Sequence, residues 1–272
     1  MKRLDNRTVG VIGTGNMGGA LIQGLLRRDA NCRIVCFDVD ASRVDSLQRE
    51  HGLSCAAAAT DLVRMSDIVI LAVKPDTVPA VVAGIREALG GKILVSIAAG
   101  VTLEALGAMS LPGQQIVRVM PNTPALLGEG MSVLAPNGHT APEGIDLVEE
   151  VFACSGRTLI LPEKLMNAVT GLSGSGPAYV FTFIQALADG GVKMGIPRRE
   201  ALMLAAQTVS GAAAMVLESN ENPISLRGKV TSPGGTTIEG VHILERSGFS
   251  GIVMDAVEAA TVKAAKLGDT KA

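Results

Sequence analysis

The chain has 272 residues, 47% of them hydrophobic and 18% charged, with a formal net charge of −2. That length allows two domains and a sizeable core. With charge this close to balance, no Lys/Arg block, no Trp and one Tyr, nucleic acid is excluded as the main partner and base stacking as a strategy.

The opening residues, MKRLDNRTVGVIG, hold no apolar run suited to a secretory leader, so a cytoplasmic protein is expected. The run Val9–Ile12 predicts a strand and Met17–Arg28 a helix. Between them lies Gly13-Thr14-Gly15-Asn16-Met17-Gly18. A G-x-G-x-x-G turn from strand to helix, with an acid about 20 residues on, is a dinucleotide fingerprint. The acid is Asp38, at the end of a second strand, Arg33–Phe37. Gly13 permits the tight turn, Gly15 lets the backbone approach a pyrophosphate, and Gly18 permits close helix packing. A carboxylate at Asp38 accepts from a ribose 2′-OH and repels a 2′-phosphate, so NADH is expected to be favoured over NADPH. Arg43, five residues on, softens that preference.

Helix Ala41–Glu50, strand Ile68–Ala72, helix Thr77–Leu89, strand Ile93–Ile97 and helix Leu103–Met109 follow. Next come strands Gln115–Val119 and Met131–Leu134, helix Pro142–Phe152 and strand Arg157–Leu161. The alternation predicts an α/β fold with a doubly wound, mostly parallel sheet and ligands outside the carboxyl ends of its strands. Those ends carry Ala72-Val73-Lys74-Pro75, Ala98-Ala99-Gly100 and Met120-Pro121-Asn122-Thr123-Pro124. Lys74 is either a cofactor contact through its backbone or a solvated strand-end lysine. Asn122 either positions the nicotinamide ribose or amide or simply forms the turn. Cys32, Cys36, Cys55 and Cys154 form no C-x-x-C pair and fit no metal spacing, so they are read as buried small groups in a reducing compartment.

Near Leu161-Pro162-Glu163 the pattern becomes wholly helical, dividing the chain into domains 1–162 and 163–272. Helices are expected at Glu163–Thr170, Pro177–Met194, Arg198–Ser219, Thr236–Arg246 and Gly251–Lys266, with residues 269–272 fraying. Gly171–Pro177 is read as a Gly-rich turn offering Ser175 as a substrate contact or a helix cap. Ala201–Leu217 is uncharged but short of a membrane span, and Gln207, Thr208 and Ser210 interrupt it. Its apolar residues face every side, which predicts an intertwined homodimer instead.

Thr231-Ser232-Pro233-Gly234-Gly235-Thr236-Thr237 precedes one of these helices. Its amides, its hydroxyls and the helix start suit a carboxylate, although a plain helix cap reads the same way. Ketone reduction needs a proton donor such as His, Lys or Tyr, and these turns hold none. A protonated imine is already electrophilic and needs only positioning, which favours C=N reduction.

Val73-Lys74-Pro75, Ser96–Val101, Arg118–Pro124, Ser173–Tyr179 and Val230–Thr237 together resemble the pyrroline-5-carboxylate reductases, in the family's order and across nearly the whole chain. The resemblance implies reduction of L-1-pyrroline-5-carboxylate to L-proline with NAD(P)H. It also implies a Rossmann-type domain and a helical dimerisation domain, with dimers often gathered into decamers. On that resemblance Ser232, Gly234, Gly235 and Thr236 hold the substrate carboxylate, and Thr237 meets the ring nitrogen as the catalytic residue. Ile12, Gly13, Thr14, Gly15, Asn16, Met17, Ala72–Pro75 and Ala98 line the cofactor. Two alternatives stay open. A 3-hydroxy-acid dehydrogenase would carry a lysine soon after the interdomain Gly-rich turn, yet 171–194 has its only lysine at Lys193. A non-catalytic dinucleotide sensor would have no use for the hydroxyl-lined turn.

Overall fold

Apolar β-branched runs alternating with amphipathic ones build a single eight-stranded sheet. The structure is a computed structural model that describes residues 4–28 and 32–269. The strands are β1 (Thr8–Ile12), β2 (Arg33–Phe37), β3 (Ser54–Cys55), β4 (Ile68–Leu71), β5 (Ile93–Ser96), β6 (Gln115–Met120), β7 (Gly130–Pro136) and β8 (Gly156–Ile160). Their order is β3-β2-β1-β4-β5-β6-β7-β8. Only β6 and β7 pair antiparallel among the described strands. A single 3₁₀ turn, Thr123–Leu127, joins those two, which is too short a connection for a parallel crossover. β1, β4 and β5 are buried along their whole length, as central strands covered on both faces must be.

Successive strand residues feed opposite layers. Val9 and Val11 pack with Leu21, Ile22 and Phe152 on one side, while Ile12 packs with Leu62, Val82 and Leu106 on the other. The covering helices are α1 (Asn16–Arg27), α2 (Ala41–His51), α3 (Ala59–Met65), α4 (Val78–Ile85), α5 (Leu103–Met109) and α6 (Pro142–Ala153). Strand order reverses between β1 and β4, and a crevice for ligand is expected beyond their carboxyl ends.

Several expectations need correction. β3 and α3 were not foreseen: one is two residues long, and the other starts within the patternless run Ala56–Ala59. The expected helix Thr77–Leu89 is α4 flanked by 3₁₀ turns at Pro75–Thr77 and Arg86–Ala88. The cysteines are not all buried: Cys36 is, whereas Cys32, Cys55 and Cys154 are partly exposed. The Gly-rich turn Gly171–Pro177 is helical. A π turn, Thr170–Gly174, links α7 (Met166–Val169) to α8 (Gly176–Lys193). The Ser175 N–H donates to the Thr170 carbonyl at 2.8 Å. A Cβ at Gly174 would lie 2.6 Å from Met120 Cε, the movable tip of a side chain at the end of β6.

By contacts the described chain falls into two units. One holds residues up to 175 together with those from 258 on, and the other is Gly176–Val257. Residues 163–175 keep company with the sheet: Glu163 Oε1 accepts from Arg118 Nη1 at 3.1 Å and from the Leu103 N–H at 2.7 Å.

The second unit contains α8, α9 (Arg198–Ser219), α10 (Pro223–Val230), α11 (Thr236–Arg246) and the start of α12 (Phe249–Asp269). Of the fraying expected over 269–272, Asp269 closes α12 and the rest lies outside the described residues. α10 was not drawn as a helix, although Pro223 reads as a residue at or near a helix start; it does start α10, and the side chain of Asn222 caps it. The unit's internal core is small: Ala188, Ala201 and Ala205, with Ile184 and Val192 against them. Phe181, Met203 and Met254 are 64%, 66% and 70% exposed. The run Ala201–Leu217 lies within a 22-residue helix that is long and apolar enough, by length and composition alone, to cross a membrane.

Candidate active site

β1 ends at Gly13, whose φ is +95°, a conformation that favours glycine. A Cβ there would lie 2.5 Å from the Ala72 carbonyl oxygen. A Cβ at Gly18 would collide with the carbonyl oxygen of Gly13, so α1 can start close to the strand only with glycine. Gly15 is the N-cap of α1 and supplies no side chain, leaving the first amides of the helix free for an anion.

Ile12, Gly13, Gly15, Asp38, Ala72, Val73 and Lys74 line one cleft of about 540 Å³. The other predicted cofactor residues lie elsewhere in the same unit. Thr14 is buried behind the turn, while Asn16 and Met17 open α1. Pro75 lines a separate cleft of about 600 Å³ with Gly100 and Glu104. Ala98 is buried at the end of β5, its N–H donating to Ser96 Oγ at 3.3 Å. The opposite wall of this cleft, with Ala58, Thr60, Val81 and Gly84, was missed from the sequence. Small residues there carry no chemical signature.

Asp38 is 8% exposed at its side chain and already well engaged. Its Oδ2 accepts from the Thr14 N–H at 2.6 Å and from Thr14 Oγ1 at 2.9 Å, and its Oδ1 accepts from the Asp40 N–H at 3.0 Å. Arg43 Nη1 lies 3.9 Å from it. Burial opposes its ionisation, but the hydrogen bonds from Asp40 and Thr14 and the charge of Arg43 outweigh this and hold the carboxyl below the usual carboxylate range. A group lowered on folding contributes its stability above the unfolded pKa of about 3.9 and loses it as pH falls through the lower folded value. Thermal melts of the wild type and Asp38→Asn should therefore show a constant gap in Tm above about pH 5 that closes below about pH 4. A gap closing near neutrality would contradict this.

Asn122 ties three elements of the same unit together. Its Nδ2 donates to the Ser173 carbonyl at 3.2 Å and to Ser173 Oγ at 3.3 Å, and its Oδ1 accepts from the Met131 N–H at 2.9 Å. Its amide therefore holds the π turn beside the end of β6. Ser175, half-buried, follows that turn directly.

The substrate candidates lie in the second unit. The N–H of Gly235 donates to the Ser232 carbonyl at 3.0 Å, closing a turn through Gly234 at φ +67°. Gly235 is the N-cap of α11 and again offers no side chain. Ser232, Thr236 and Thr237 are exposed, and among the described residues their hydroxyls make no hydrogen bond. Apart from the Gly235 N–H, the turn thus presents the amides of the α11 start and three uncommitted hydroxyls, all of which favour an anion. Tyr179 donates to the Ala256 carbonyl at 3.4 Å within the same unit.

Comparison with known proteins bears on both units. A family model for pyrroline-5-carboxylate reductase dimerisation matches residues 163–267. One described as NADP oxidoreductase, coenzyme F420-dependent, matches residues 8–100. The pyrroline-5-carboxylate reductase of Methanosarcina acetivorans is 43% identical over 268 residues, 97% of this chain and 99% of that one. That of Escherichia coli is 40% identical over 264 residues, covering 96% and 98%. Among solved structures, a pyrroline-5-carboxylate reductase from Coxiella burnetii superposes with a TM-score of 0.93 at 30% identity, covering 97% of this chain and 99% of its own. The Plasmodium falciparum pyrroline carboxylate reductase with NADP bound gives 0.86 at 34% identity, covering 97% and 99%.

Proposed function

The chain belongs to the pyrroline-5-carboxylate reductase family, and from that membership we infer that it reduces the C=N bond of L-1-pyrroline-5-carboxylate to give L-proline, the last step of proline biosynthesis. The observation that carries this reading is the uncapped start of α11, where Ser232–Thr237 offer an anion site without any acid or base. The chemistry that NAD(P)H brings when bound is a hydride. Gly13, Gly15 and the first amides of α1 hold its pyrophosphate, and Ala72–Lys74 form the wall beside it. The amides of Gly234 and Thr236, with Ser232 Oγ, hold the substrate carboxylate, while Gly235, whose N–H is taken by the Ser232 carbonyl, shapes the turn around it. Thr237 orients the ring nitrogen, and Ser175, which follows the π turn that Asn122 braces, is a further substrate contact in this reading. Without a proton donor, the site suits a substrate that arrives as a protonated imine.

The coenzyme is a nicotinamide dinucleotide, and Asp38 favours NADH over NADPH. The functional division falls at 162/163, supported by the start of the dimerisation match at 163. The chain self-associates through its C-terminal helices as a homodimer in the cytoplasm, with dimers gathering into decamers. The outward apolar residues of α8, α9 and α12 are what a second copy covers, and the dimerisation match over residues 163–267 supports reading α9 as part of that protein interface.

Two measurements test these statements. Purified protein should oxidise NADH when given pyrroline-5-carboxylate and reduce NAD⁺ when given proline at high pH, and leave 3-hydroxyisobutyrate untouched. Cofactor binding without turnover would favour a sensor, and turnover of the hydroxy acid a dehydrogenase. Met203→Glu should weaken self-association by roughly 100-fold, because an unpaired carboxylate would be buried. Light scattering after size exclusion should then show monomers where the wild type gives dimers or larger species.

A further inference from the structure

Cys36 and Cys55 are direct partners across the parallel β2–β3 pair, and their sulfurs lie 2.8 Å apart. β3 is the edge of the sheet, so Cys55 is partly exposed while Cys36 is buried. Neither thiol has a part in the reduction described above. We propose that Cys36 and Cys55 are a peroxide-sensitive thiol pair that closes to a reversible intramolecular disulfide and reshapes the wall of the dinucleotide cleft.

Adjacent strands lie about 4.8 Å apart, within the roughly 4.4–6.8 Å that a disulfide spans between Cα atoms. Closing the pair therefore needs only a small movement of the two sulfurs. Burial, and then the contact with Cys55, push the Cys36 thiol up to about 12, which keeps it protonated at neutral pH. Cys55, at the edge, is the sulfur an oxidant meets first. Its sulfur gives up the thiol proton and attacks one oxygen of hydrogen peroxide, the O–O bond breaks, and the leaving hydroxide takes up that proton, so that a sulfenic acid and one water form. The Cys36 sulfur then attacks the Cys55 sulfur, the S–O bond breaks, and the Cys36 proton leaves with the hydroxyl as a second water. Two thiols lose two electrons, and one peroxide becomes two waters.

The cleft is adjacent in sequence on both sides of the pair. Cys36 is followed by Phe37 and Asp38, and Cys55 leads through Ala56 to Ala58, Ala59 and Thr60, all but Ala56 lining the cleft. The Ala56 N–H donates to the Cys36 carbonyl at 3.0 Å, so movement at the sulfurs is passed to that wall.

The test uses the full chain carrying Cys32→Ala and Cys154→Ala, which leaves Cys36 and Cys55 as the only thiols, with the wild type in parallel. After hydrogen peroxide, the free thiol count under denaturing conditions should fall from two to none, and the intact mass should drop by two hydrogens. Proteolytic mapping should recover a Cys36–Cys55 linked peptide in both proteins. The KM for the dinucleotide should rise roughly 3- to 10-fold and return on reduction with a phosphine. Cys55→Ser should keep basal activity and lose the peroxide response. Thiols that persist, sulfinic acid without a linked peptide, or links between chains would overturn the pair. A linked peptide with unchanged KM would overturn its coupling to the cleft.

Discussion

Asp38→Ser is expected to raise the NADPH:NADH ratio of kcat/KM by about 100-fold. The substitution removes a charged acceptor for the ribose 2′-OH, a bond of about 1.5–3 kcal/mol, and also the repulsion against a 2′-phosphate. Each tenfold corresponds to about 1.4 kcal/mol, so the first effect alone gives roughly 10- to 100-fold. The geometry adds two conditions. Three of the carboxylate's acceptor positions are already filled by Thr14 and Asp40, so the sugar competes for what remains on a side chain that is 8% exposed. The variant also loses the acceptor for Thr14, and binding of both cofactors should weaken, which makes the ratio the proper readout. Arg43 sets the second condition. It is 53% exposed and also reaches Asp40 at 3.3 Å, and a Cβ at Gly15 would lie 3.5 Å from its guanidinium. With Asp38 gone, Arg43 is free to meet a 2′-phosphate. Asp38→Ser/Arg43→Ala should therefore lose most of the gain. A ratio unchanged in Asp38→Ser would remove the carboxylate from cofactor selection.

What the sequence disclosed, it disclosed through the backbone. Gly13 and Gly18 are readable because a positive φ and a close helix approach leave no other residue possible. β1, β4 and β5 are readable because strands covered on both faces must be continuously apolar. β3 and α3 are too short for a period to emerge, and their place is fixed by what they pack on: β3 by β2, and α3 by Leu62 and Val63 entering the core. The π turn was hidden for a different reason. Its glycines look like a loop, and only the Asn122–Ser173 bonds and the Ser175-to-Thr170 bond show what holds the chain in a helical turn there. Contacts across such long sequence separations leave no local trace. The same holds for Cys36 and Cys55, whose proximity follows from strand register alone. The uncapped start of α11 was legible because two glycines in a row cannot cap by side chain, whereas the mostly apolar cleft wall around Ala58 and Val81 was silent.

Thr237→Ala is expected to lower kcat/KM by roughly 10- to 100-fold. Thr237 is the second residue of α11, and its hydroxyl makes no hydrogen bond among the described residues, so it is available to the substrate. The imine nitrogen begins as a cationic centre whose N–H can only donate. As its carbon accepts hydride, the nitrogen gains a lone pair, and a hydroxyl that can turn from acceptor to donor follows that change. The bond to the lone pair exists only late in the reaction, so its loss should lower kcat and kcat/KM together and leave KM steady. Had Thr237 merely helped to seat the ring, KM would rise at constant kcat instead. Thr237→Ser keeps the hydroxyl and should restore most of the rate, while Thr237→Val keeps the shape and should not. Full activity in Thr237→Ala, or rescue by valine, would show that the helix amides alone position the substrate.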